Sequence, residues 1–199
     1  RSAPLRVSIF GATGHVGRAA IDLIAAAPHA YRLVAISSNY EVGRLDALID
    51  KVVPEIAIAA DGEAFIHLRD MLRRRPIEIG AGDRAMVTAA ARPADFVVMA
   101  VPGLAGLPLA FAAAAAGAVV AIADPRVAAM AAGLLSAGEA EPRTLLLGGP
   151  AAAAIDLIDS GFAIDAVDLV VGDSETDGFS MALQLMALAG LRSFAADAI

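Results

Sequence analysis

A short β-branched run, Arg6-Val7-Ser8-Ile9-Phe10, leads directly into Gly11-Ala12-Thr13-Gly14-His15-Val16-Gly17, and an alanine-rich helical stretch follows. A strand, three glycines at i, i+3 and i+6, and a helix are how a Rossmann-type fold opens a dinucleotide site. Each glycine has its own expected task. Gly11 allows the tight turn off the strand. Gly14 lets the backbone approach a pyrophosphate, and Gly17 lets the helix pack closely on the strand. The helix N-terminus offers free N–H groups and the positive end of its dipole to phosphates. Thr13, His15 and Val16 lie in the same loop and join the candidate cofactor residues. The spacing is G-x-x-G-x-x-G rather than the commoner G-x-G-x-x-G, so a Gly-rich turn that binds nothing stays open beside it. A second apolar run, Leu33-Val34-Ala35-Ile36, falls where a βαβ unit needs it.

The composition suits this fold. Hydrophobic residues make up 58% of the 199 residues, much of it alanine, and Trp and Cys are absent. Small aliphatic side chains fit helices packed closely on a parallel sheet. A net charge of −7 leaves no basic stripe for nucleic acid. The four arginines between Arg69 and Arg75 read as a solvated helix end. Without Cys there is no disulfide, thiolate metal site or cysteine nucleophile. A cytoplasmic location is the expectation. Residues 96–123 carry no charge, but Pro102, Gly103, Gly106, Pro108 and Gly117 interrupt them. The run reads as strand, loop, helix and strand rather than a membrane span.

Strands are expected near Arg6–Phe10, Arg32–Ser37, Ile56–Ala59, Ile77–Gly80, Phe96–Val101, Val119–Ala123, Arg143–Leu147 and Ala166–Val171. Helices are expected near Val16–Ala27, Val42–Lys51, Gly62–Arg75, Ala85–Ala91, Leu107–Ala116, Val127–Ala137, Ala151–Ser160 and Phe179–Ala189. The alternation predicts a doubly wound, mostly parallel α/β sheet with helices on both faces, a Rossmann-type domain over 1–160. A short strand–helix appendage follows over 161–199.

The chain resembles the 1-deoxy-D-xylulose 5-phosphate reductoisomerase family over about residues 5–160. Ile9 to Gly17 sits where that family has G-(S/A)-T-G-S-(I/V)-G. Pro28 and Tyr31 to Ile36 are similar to its P-x-x-(F/Y)-x-V-V-A-L passage. Val53-Pro54 through Met71-Leu72 and the loop Gly103-Leu104-Ala105-Gly106-Leu107 also have counterparts. The resemblance implies NADP(H) as cofactor, a divalent metal and a role in isoprenoid-precursor synthesis.

Departures from the family accompany the likeness. Where the family has A-N-K-E-S after a strand, this chain has Ala123-Asp124-Pro125-Arg126-Val127. Where it has V-D-S-E-H, with metal-binding acids, this chain has Gly148-Gly149-Pro150-Ala151-Ala152. No carboxylate stands there for a hard cation, so the sequence does not support the metal. The family's catalytic domain is also missing from the sequence. The family's G-K-N loop is replaced by Asn39-Tyr40-Glu41. Ser37, Ser38 and Asn39 are candidates to bond a 2′-phosphate, with Arg44 nearby and Glu41 opposing it. Gly103 and Asp124 complete the candidate cofactor set; Asp124 stands at a strand end, where open α/β sheets place ligands. It is also suited to capping the next helix.

His15, His29 and His67 show no metal-ligand spacing, and no catalytic residue is assigned. Asp173, Glu175 and Asp177 form a Gly-bounded acidic turn, read as solvated. Three functions stay open: a degenerate NADP(H)-binding family member without independent turnover, a structural or regulatory pseudoenzyme subunit, and an NAD(P)-dependent oxidoreductase of another family. Expected partners are the dinucleotide and a second chain, either in a homodimer or as an active paralogue.

Overall fold

In the computed structural model of the chain, residues 3–124, Val127, Met130, 144–147 and 167–171 are described. The expected helices over 151–160 and 179–189, the acidic turn and most of the helix after Val127 lie outside them.

The elements run β1 (Leu5–Phe10), α1 (His15–Ala26), β2 (Tyr31–Ser38), α2 (Val42–Ile49), β3 (Ile56–Ala59), α3 (Gly62–Leu72), β4 (Glu78–Ala81) and α4 (Gly82–Ala90). Then come β5 (Phe96–Met99), a 3-10 turn (Gly103–Gly106), α5 (Leu107–Ala115), β6 (Val119–Ile122), β7 (Thr144–Leu147) and β8 (Val167–Val171). The strands form one sheet in the order β4-β3-β2-β1-β5-β6-β7-β8. Every pairing is parallel. This is the doubly wound Rossmann-type architecture.

The strands are apolar on both faces because helices cover both. Val7 and Ile9 of β1 join one core with Phe96 and Val98 of β5. Phe10, Val97 and Met99 join the other. The two-residue period of a strand produces this division. Helices α1, α2 and α3 cover the first face through residues such as Ile21, Leu45 and Leu68. Helices α4 and α5 cover the second through Met86, Ala89, Leu109 and Ala113. In α1 the buried residues are Gly17, Ala20, Ile21 and Ile24, one helical stripe at i, i+3, i+4 and i+7. Each fully buried Ile or Leu here contributes about 1.5–3 kcal/mol.

Several element ends differ from the sequence expectation. Helix α3 stops at Leu72 rather than Arg75, since the Arg75 amide turns back to the Leu72 carbonyl. Arg75 then pairs with Asp46 and Asp50 of α2 instead of continuing a solvated face. Helix α4 starts earlier, at Gly82. Strand β5 ends at Met99, where the Ala100 amide bonds the Phe10 carbonyl and the chain leaves the sheet. The charge-free run is strand, turn, helix and strand as expected. No helix among the described residues is long and apolar enough to cross a membrane.

Candidate dinucleotide site

From β1 the chain winds outward through β2 and β3 to β4, then returns to place β5 on the other side of β1. The strand order therefore reverses between β1 and β5. In open α/β sheets the crevice at the carboxyl ends of such strands receives ligands. Here it is a cleft of about 520 Å³, lined by residues following β1, β2, β3 and β5 and by α4 and α5.

The three loop glycines meet three different environments. Gly11 has φ +84°, and a Cβ there would lie 2.4 Å from the Ala100 carbonyl oxygen, so the turn off β1 packs against the turn off β5. A Cβ on Gly17 would lie 2.5 Å from both Ala12 Cα and the Gly11 oxygen. Helix α1 thus approaches the loop too closely for any side chain at that position. Gly14 is different. Its φ of −69° and ψ of 172° are open to any residue. A Cβ there would meet one atom, the Gly11 oxygen, at 3.3 Å. Gly14 is exposed and lines the cleft. It is the N-cap of α1 and supplies no side-chain cap, and the first turn carries no acid. The first-turn amides therefore have no capping side chain, and the helix dipole favours an anion there.

The loop is tied down by the end of β2. The Gly11 amide donates to Ser37 Oγ at 3.1 Å, and the Ala12 amide to the Ser37 carbonyl at 2.8 Å. Thr13 Oγ1 and Ser38 Oγ are 3.2 Å apart. Ser37 and Ser38 are 1% and 2% exposed, so both hydroxyls serve the loop even though both residues line the cleft. After β5, Gly103, with φ +69°, donates its amide to Asp124 Oδ2 at 3.2 Å. That bond couples the turn after β5 to the end of β6.

The family profile for 1-deoxy-D-xylulose 5-phosphate reductoisomerase matches residues 7–131. The chain belongs to the 1-deoxy-D-xylulose 5-phosphate reductoisomerase family. The reductoisomerase of Jannaschia sp. is 42% identical over 119 residues, 60% of this chain and 30% of that protein. That of Rhodospirillum centenum is 40% identical over 131 residues, 66% of this chain and 33% of that protein. The chain thus spans about a third or less of the curated relatives it matches. The Zymomonas mobilis reductoisomerase solved with NADPH superposes with a TM-score of 0.69 at 31% identity, covering 73% of this chain and 39% of that one. A DOX-P reductoisomerase solved with NADPH, fosmidomycin and magnesium gives 0.65 at 26% identity, over 72% of this chain and 36% of that one.

Of the candidate cofactor residues, the reductoisomerase fold brings Gly11, Thr13, Gly14, Ser37, Ser38 and Asn39 to the cleft lining. His15 is exposed at the first turn of α1 and outside the lining. Val16 packs against the core, and Gly17 is buried against the loop backbone. Gly103 and Asp124, bonded to each other, are outside the lining. The fold adds residues that motif spacing does not indicate. Asp83, Met86 and Val87 come from α4, and Pro108 and Leu109 from α5. Glu41 also lines the cleft and is paired with Arg44 at 2.7 Å.

Among the described residues no three His, Asp or Glu side chains are grouped to hold a metal ion. Tyr31, at the start of β2, is held above its ordinary value of 10.0 by burial.

Proposed function

We propose that this chain holds NADP(H) across the carboxyl ends of β1, β2 and β5, with the pyrophosphate over Gly14 and the first turn of α1. The observation that carries this is the contrast among the glycines. A Cβ at Gly11 or Gly17 would fall within 2.5 Å of backbone atoms, whereas one at Gly14 would meet only the Gly11 oxygen, at 3.3 Å, a contact that a shift of a few tenths of an ångström relieves. A glycine that is exposed, unstrained and placed at a helix N-terminus is explained by a ligand that must approach the backbone. The NADPH complex of the Zymomonas mobilis relative supports the choice of dinucleotide. Ser37 and Ser38 would act by holding the loop, and Asn39 would face the ribose. A bound NADPH would supply a hydride.

We further infer that this domain does not turn over the reductoisomerase substrate by itself. The run Gly148-Gly149-Pro150-Ala151-Ala152 offers no carboxylate, and hard cations need oxygen ligands. No metal-ready cluster occurs among the described residues. The run at 148–152 does not fit a divalent cation, so no metal-assisted step is assigned.

A fluorescence titration of NADPH into the protein tests the reading. Saturable binding in the micromolar range is expected. No binding up to millimolar cofactor would refute it.

A further inference from the structure

We propose that Glu41 limits how tightly the cleft holds the 2′-phosphate of NADPH, opposing it by its own charge and by holding Arg44. The proposal rests on the dinucleotide reading above. With a pyrophosphate at the N-terminus of α1, the adenosine ribose lies over the carboxyl end of β2. The polar groups there are few. The Ser37 and Ser38 hydroxyls are buried and bonded to the glycine loop. Asn39 is exposed, and Glu41 follows at the start of α2.

Glu41 is the N-cap of α2, yet its side chain makes no capping bond. Its Oε1 lies 2.7 Å from Arg44 Nη1 one turn along the helix. Glu41 lines the cleft and Arg44 does not. Among the described residues, the charged residues of the lining are Glu41 and Asp83, with no Lys, Arg or His beside them. A 2′-phosphate brings about two negative charges near neutral pH. It would meet a carboxylate where it needs a cation, and the available arginine is already engaged. A 2′-hydroxyl is a donor that a carboxylate accepts well. Glu41 therefore favours the hydroxyl and penalises the phosphate. Neutralising it would free a planar guanidinium suited to phosphate.

The test is to titrate NADPH and NADH separately into four proteins: wild type, Glu41→Gln, Glu41→Gln/Arg44→Gln and Asp70→Asn. Asp70→Asn removes the same charge at an exposed α3 position outside the cleft. Glu41→Gln is expected to tighten NADPH about tenfold, the scale of one hydrogen bond to a charged group. NADH should not tighten with it. Adding Arg44→Gln should cancel the gain, and Asp70→Asn should leave the NADPH/NADH ratio at the wild-type value. If both cofactors bind but Glu41→Gln leaves that ratio unchanged, or the double variant keeps the gain, the proposal is overturned and the site stands. If neither cofactor binds any of the four proteins, the dinucleotide reading falls and takes the proposal with it.

Discussion

Ser37 Oγ accepts the Gly11 amide at 3.1 Å, joining the end of β2 to the first turn of the glycine loop. Ser37 is 1% exposed. Ser37→Ala leaves the Gly11 amide without its acceptor. A loss of about 0.5–1.5 kcal/mol is expected, the net worth of one hydrogen bond at this part-buried position. Urea unfolding measures it, and an unchanged midpoint would show that the bond contributes nothing to the loop.

Two other glycine substitutions separate close packing from backbone strain. Gly17→Ala drives a Cβ to 2.5 Å from Ala12 Cα and the Gly11 oxygen, and backbone atoms cannot swing aside. The expected loss is about 3 kcal/mol, at the upper end of overpacking costs. Gly103→Ala meets open space and has only its φ of +69° to overcome. About 1–2 kcal/mol is expected there. Thermal unfolding of the two variants should rank them in that order.

Burial at the start of β2 gives the protein an alkaline weakness. The folded chain keeps Tyr31 protonated to higher pH than the unfolded chain, whose tyrosine titrates near 10.0. Above that pH the folded state holds the extra proton, so stability falls as pH rises. Below it the contribution is fully present. Thermal unfolding of wild type between pH 9 and 11 should decline more steeply than that of Tyr31→Phe. Parallel declines would remove Tyr31 as the cause.

Much of the sheet is legible in the sequence because burial on both faces leaves uninterrupted apolar runs such as Phe96-Val97-Val98-Met99. The direction of winding is not legible in the same way. Placing α4 and α5 opposite α1 to α3 depends on which side of β1 receives β5, and hydrophobic period does not encode that choice. The site divides similarly. Gly11, Thr13 and Gly14 are found by spacing because one continuous loop carries them. Asp83 and Pro108 reach the same cleft from helices distant in sequence, so only the fold assembles them. Ser37 and Ser38 are found as cleft residues, but that their hydroxyls already serve the loop emerges only from the burial and distances.

The absence of carboxylates in residues 148–152 gives a further expectation. Millimolar Mg²⁺ or Mn²⁺ should neither raise the melting temperature nor support NADPH oxidation with 1-deoxy-D-xylulose 5-phosphate, because binding to the native state alone would stabilise it. Robust metal-dependent oxidation would contradict the proposed loss of turnover.

The most direct measurement compares NADPH binding and thermal stability in wild type and Gly14→Ala. Gly14 has an ordinary backbone conformation, and its Cβ would meet a single atom at 3.3 Å. That contact needs the Gly11 carbonyl to give by a few tenths of an ångström, so the melting temperature should fall far less than in Gly17→Ala. NADPH affinity should fall at least about tenfold, because the methyl group holds the pyrophosphate off the loop. Equal NADPH affinities in the two proteins would contradict a ligand-facing role for Gly14 and, with it, the dinucleotide site.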